Sequence, residues 1–204
     1  MTRKVVYTAA LVALVAATAM TIASISTPRW ISYSVAAKSG GAVYDHIGLH
    51  ERCTSISASS AAATGCVHFP DARRCEASDG RSFCSLWRTT GFLMSLATVV
   101  DLAVLVGFLV IMAGGKVKRE SGWRILAVML GVVAGLEFCA MALVSYLFDN
   151  DDFFLVPGYR LDTSWYLCTA SAGIALFSAF GLAISAFVLP PEDGYEFLGD
   201  PTGV

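Results

Sequence analysis

Charge is scarce in this chain. Only 15% of its 204 residues are Asp, Glu, Lys or Arg, and they nearly cancel to a formal net charge of -2. There is no basic patch of the kind that neutralises phosphates, which excludes nucleic acid as a partner. Hydrophobic residues make up 56% of the chain and the mean hydropathy is +0.65. A soluble domain of this size could not cover that much apolar surface, so the balance is that of an integral membrane protein.

Other absences narrow the chemistry. No two cysteines stand as C-x-x-C, which argues against a thiol oxidoreductase of the quinone-linked four-helix type. No Lys, Arg or His interrupts the four long apolar runs, and these hold no Ser/His, His/Glu or Cys/His constellation. Enzyme activity and a cofactor are therefore not expected. The three histidines, His46, His50 and His68, share one polar segment. Scattered like this they read as surface residues before they read as Zn²⁺ ligands, and no metal is expected.

The apolar runs are Val5–Ser26, Thr89–Ala113, Ile125–Phe148 and Trp165–Leu189. At ~1.5 Å per residue, about 20 residues cross a ~30 Å hydrocarbon core. The expected fold is integral membrane and mainly α, a four-helix transmembrane bundle with residues 1–204 as a single domain. Met1-Thr2-Arg3-Lys4, an apolar stretch and Ala17-Thr18-Ala19 also resemble a signal peptide, but apolar character continues through Met20, Ile22 and Ile25 to a spanning length. Arg3 and Lys4 precede the first run, and Lys116, Lys118, Arg119 and Arg124 crowd the turn between the second and third. By the positive-inside rule both termini are cytoplasmic and segments 27–88 and 149–164 are outside. Trp30, Trp87, Trp123, Trp165 and Tyr166, at the run edges, suit an interfacial belt.

Two acids, Asp101 and Glu137, sit deep within apolar runs. In antiparallel helices they fall within roughly 6 Å of the same depth. Each needs a partner or a proton: the site holds a cation or proton, or else the carboxyls bond hydroxyls such as Ser95 or Thr98 and order the bundle. Gly131 and Gly135 form a G-x-x-x-G that reads as tight packing within one bundle, with a dimer face as the alternative. Cys139 and Cys168 lie inside apolar runs and read as small buried hydrophobes.

The remaining cysteines, Cys53, Cys66, Cys75 and Cys84, all fall in segment 27–88, the distribution an oxidising compartment permits. Four cysteines allow three pairings; Cys53–Cys66 with Cys75–Cys84 closes the shortest loops. Trp30 to Val35 alternates like a half-exposed strand, Gly40-Gly41 offers a turn, and Ala42-Val43-Tyr44 follows.

Trp30, Gly48-Leu49-His50, Cys53 and Cys66 together resemble the W…G-L-W…C…C pattern of the claudin superfamily, with His50 where that family usually has Trp. Arg88 falls where the family often carries an Arg, and Phe153 to Asp162 is similar to its short second loop. The resemblance covers the whole topology. It implies a left-handed four-helix bundle bearing a small extracellular antiparallel sheet from the first loop, with a Cys53–Cys66 bond stapling two strands. Cys75, Cys84 and His50 depart from the pattern and point to a divergent member, fungal claudin-like proteins included.

The resemblance implies a plasma-membrane protein acting in cell adhesion, junctions or membrane organisation. Its partners would be membrane lipids and either its own copies, in cis or trans, or another integral membrane protein. An auxiliary subunit of a channel, receptor or membrane enzyme is the first alternative, and a paracellular barrier or pore the second. The acidic tail, 190–204, carries Tyr195-Glu196-Phe197-Leu198, which resembles a sorting signal, and a Thr202-Gly203-Val204 terminus that would suit a cytoplasmic scaffold.

Overall fold

The computed structural model describes residues 3–36, 42–55, 65–76 and 80–188. The expected Gly40-Gly41 turn and the tail signals lie outside these. Four long helices dominate: α1 (Arg3–Ser26), α3 (Gly80–Ala113), α4 (Gly115–Asn150) and α5 (Thr163–Val188). All four are long and apolar enough to cross a membrane. A short helix α2 (Ala72–Glu76) and strands β1 (Ile31–Ala36), β2 (Ala42–Ile47), β3 (Glu51–Thr54), β4 (Gly65–His68) and β5 (Tyr159–Leu161) complete the described elements.

Each helix buries one stripe at helical spacing. On α3 it runs Phe83, Cys84, Trp87, Thr90, Gly91, Met94, Ala97, Asp101, Val104 and Phe108, the three-and-four rhythm that keeps one face inward. The helix starts at Gly80, nine residues before the expected Thr89. Segment 27–88 is thus not loop to its end: Cys84, Trp87 and Arg88 are helical, because the polar residues between them fall on the outer face while the pattern stays in phase. At the other end of α3 the expected basic turn collapses to Gly114, and the backbone is helical again from Gly115. Close approach there comes from Gly122 and Gly107. A Cβ on Gly122 would sit 2.5 Å from Ile111 Cδ1, and one on Gly107 would sit 3.2 Å from Leu126 Cδ2.

The sheet is antiparallel, in the order β4-β3-β2-β1-β5. The expectation that it comes from the first loop alone is corrected, since β5 lies in segment 149–164 and pairs Leu161 with Ile31. Pro157-Gly158 makes this return possible. Gly158 has φ +118, and a Cβ there would meet Tyr33 at 2.8 Å, so a side chain is disfavoured on both counts.

Two apolar cores result. One joins the sheet to the bundle through Trp30, Ile31, Ile47, Leu49, Phe69, Phe83, Trp87, Met94, Val144 and Phe154. The other fills the far half with Tyr7, Leu14, Val104, Phe108, Leu126, Leu130 and Leu182. Their membership shows that α1 and α4 run toward the sheet and α3 and α5 away from it. Trp30 and Trp87, expected in an interfacial belt, are instead fully buried in the sheet-side core, because each indole N–H finds a carbonyl there.

Candidate functional site

The motif residues Trp30, Gly48, Leu49 and His50 build the joint between sheet and helices. Trp30 donates its indole N–H to Ser24 O at 2.8 Å and its backbone N–H to Ile47 O at 2.9 Å, tying β1 to both α1 and β2. Gly48 opens the β2–β3 turn, donating to Glu51 O at 2.8 Å. A Cβ on it would lie 2.5 Å from Pro28 Cα, a backbone atom that cannot step aside. The turn then presents Leu49 O to the Trp87 indole N–H at 3.2 Å and His50 O to the Phe69 backbone N–H at 2.9 Å. Phe69, Phe83 and Phe154 pack round Trp87. Trp87 is therefore the anchor of the turn, a role that sequence reasoning missed although its place in the helical stripe signals it. Arg88, the neighbouring motif residue, is exposed and lines a cleft of about 370 Å³ with His50 and His68.

On the bundle-facing side of the sheet lies a closed polar cluster. Asp45 is 1% exposed. It accepts from Arg52 Nε at 2.9 Å and Arg52 Nη2 at 2.7 Å, a two-pronged pairing, and from the Tyr159 hydroxyl at 2.9 Å. The guanidinium also lies 5.1 Å from the Phe153 ring centre. The bond to Asp45 pushes the Arg52 pKa up. Burial, then the bond to Asp45, pushes Tyr159 up to about 12. The cluster joins β2, β3 and β5, so the second loop is locked to the first by charge-assisted bonds.

The opposite face of the sheet is open. Cys53 and Cys66 are paired positions on β3 and β4 and are disulfide-bonded, and a second bond joins Cys75 of α2 to Cys84 of α3. Glu51 lies beside the first bond, but both sulfurs are committed to it and no thiolate is left for a metal. Ser32, His46 and Asp162 meet on this face: Ser32 donates to Asp162, and its oxygen lies 2.8 Å from His46 Nδ1. The order is not that of a nucleophile, base and orienting acid, because the hydroxyl sits between the other two and is buried. Burial, with Arg29 nearby, lowers the His46 pKa. Burial would raise that of Asp162, but hydrogen bonds from Ser32 and Thr163 outweigh it and the net shift is down. Among the described residues the three histidines form no three-ligand group.

A second polar cluster sits midway along the bundle, between the two cores. Thr21 of α1, Asp101 of α3, Glu137 of α4 and Ser171 of α5 are all fully buried. Glu137 Oε1 accepts from Thr21 at 2.6 Å and Ser171 at 3.1 Å. Asp101 falls at the same level, between Met94 of one core and Val104 of the other, as Glu137 falls between Ala140 and Ala134. Ser95 and Thr98, the expected hydroxyl partners, instead bond their own helix at Gly91 O and Met94 O, as i−4 back-bonding allows. Among the described residues Asp101 has no hydrogen-bond partner.

Gly131 and Gly135 do not pack inside the bundle. Both are exposed, and a Cβ at either would meet nothing within 4 Å, because they fall out of phase with the buried Leu130, Val133, Ala134 and Glu137. Cys139 shares that outer exposure, whereas Cys168 is buried with its thiol 3.6 Å from Met94 Sδ. No family model and no curated protein matches the chain, so these residues carry the functional reading themselves.

Proposed function

We propose that the chain is a claudin-like multi-pass protein of the plasma membrane. In this reading the four long helices span the bilayer, both termini are cytoplasmic and the sheet stands outside. It organises the membrane or joins cells by self-association through that sheet. One observation supports this above the others: among the described residues the sheet ends in a strand with no outer partner. β4 is the outer strand of the order, all four of its residues are exposed, and Val67 on it is 58% exposed. A bare edge of this kind, free of proline and of inward charge, is a template for pairing with another chain. A cleft of about 540 Å³ lined by Val67, Phe69, Asp71 and Arg73 runs beside it. Leu155 and Val156, 65% and 52% exposed, add apolar tips on the second loop. An antiparallel edge can pair with its own copy about a two-fold axis, which favours self-association over a dedicated partner.

Two differently tagged copies expressed in one membrane, and then on apposed cells, test this. Val67→Lys with Leu155→Asp should leave surface abundance unchanged and cut co-purification of the second copy about tenfold or more, as loss of a central apolar contact does. Undiminished self-association would sink the reading. Recovery of a larger integral protein in fixed ratio, without the second copy, would replace it with the auxiliary-subunit role.

A further inference from the structure

Three carboxyl oxygens in the mid-bundle layer have nothing to bond: both Oδ atoms of Asp101 and Oε2 of Glu137. Both residues are 0% exposed. Buried polar atoms without partners are rare, and an ion or a water is among the groups that complete them. The layer also orients one carboxyl, since Thr21 and Ser171, from two other helices, hold Glu137 Oε1 and leave Oε2 free. Ser171 has one hydroxyl proton to place, on Glu137 Oε1 or on Ala17 O 3.0 Å away.

We propose that this layer is a binding site for a single hard divalent cation. The carboxylates of Asp101 and Glu137 hold it, bound water completes its shell, and Thr21 and Ser171 position Glu137. A single proton shared between the two carboxyls would pair one oxygen of each and leave one Asp101 oxygen without a partner; a cation can engage all three. Two carboxylates balance one divalent ion. A monovalent ion would leave a net negative charge in an apolar core, with no Lys, Arg or His in the four apolar runs to offset it. The ligands are all oxygen, which selects Ca²⁺ or Mn²⁺ over zinc or copper. Of the two free thiols, Cys139 is exposed on the outside of α4 and the buried Cys168 is directed to Met94.

The test uses the full chain in lipid nanodiscs after chelation, with Mn²⁺ as the probe and its free-ion resonance signal as the readout. One Mn²⁺ per chain should bind, be displaced by Ca²⁺ and not by Na⁺, and be lost in the Asp101→Asn, Glu137→Gln double variant. Thr21→Val and Ser171→Ala keep both carboxylates and should each weaken binding about tenfold, the scale of losing an orienting partner. Chelation of wild type should lower its melting temperature, and Ca²⁺ should restore it. Three results would overturn the site: a folded chain that binds no Mn²⁺, binding that survives the double variant, or a melting temperature indifferent to chelation. If the double variant does not fold, the hydroxyl variants and the chelation response still decide.

Discussion

Asp45 and Asp101 are equally buried, yet one is fully partnered and the other has no hydrogen bond. Asp45 sits under the sheet with Arg52 and Tyr159 filling its oxygens, while Asp101 sits in the bundle with both oxygens open. The contrast separates two uses of a buried charge. A network closed on itself fixes geometry: here it holds β5 against the first loop, and nothing from outside can add to it. A layer left open cannot serve as a strut in the same way, because its desolvation cost is not offset from within the chain.

The largest effect expected is from breaking the closed network. Arg52→Ala would leave Asp45 buried and unpaired, making it resemble Asp101, and should cost ~3–5 kcal/mol. Thermal unfolding followed by Trp fluorescence measures it, since Trp30 and Trp87 lie in the sheet-side core. A loss under about 1 kcal/mol would mean that the pair behaves as an exposed one. Next comes the staple on the same sheet. Cys53→Ser with Cys66→Ser opens a link of sequence separation 13 and should cost ~2–4 kcal/mol, with loss of self-association at the β4 edge. Intact association without the bond would detach edge pairing from the staple.

Tyr159→Phe is milder, because it removes one bond to a carboxylate that keeps Arg52: ~1.5–3 kcal/mol, read as a lower melting temperature of the sheet core. The bundle should answer with the opposite sign. In chelator, Asp101→Asn removes a group with no partner and should leave stability unchanged or slightly raised. A clear loss there would show that Asp101 is partnered after all, and the contrast with Asp45 would fall.

How far these two regions were legible in the sequence differs for physical reasons. The helices were plain from their apolar length, and the shared depth of Asp101 and Glu137 followed from helical rise alone. The start of α3 was not, because an amphipathic end such as Gly80–Arg88 dilutes hydropathy while keeping its phase. Phase also explains Gly131 and Gly135: spacing four apart puts them on one face but does not say which. Partners from distant segments, such as Thr21 and Ser171 with Glu137 or Tyr159 with Asp45, depend on tertiary packing that no local pattern encodes. The motif residues Gly48-Leu49 marked the turn, whereas Trp87, which holds it, lay hidden among residues that also suit a membrane edge.

The smallest effect expected is the pH response of the sheet, and its two limbs belong to different groups. Burial holds His46 below its ordinary value of 6.5, so the unfolded chain takes up its proton first; this stability is present above pH 6.5 and lost as pH falls. Asp162, also held below its ordinary 3.8, adds to the same limb at more acid pH. Tyr159 works the other way. Pushed from 10.0 up to about 12, it keeps its proton longer in the fold than out of it, so its contribution is full below pH 10 and fades as pH rises toward 12. All three groups are partly exposed, and solvent screening makes the shoulders shallow. Trp fluorescence melts across pH should therefore show a plateau between these limits. Tyr159→Phe should flatten the alkaline shoulder and leave the acid one, while His46→Asn should do the reverse. An alkaline shoulder that survived Tyr159→Phe would mean that the closed network does not govern the sheet.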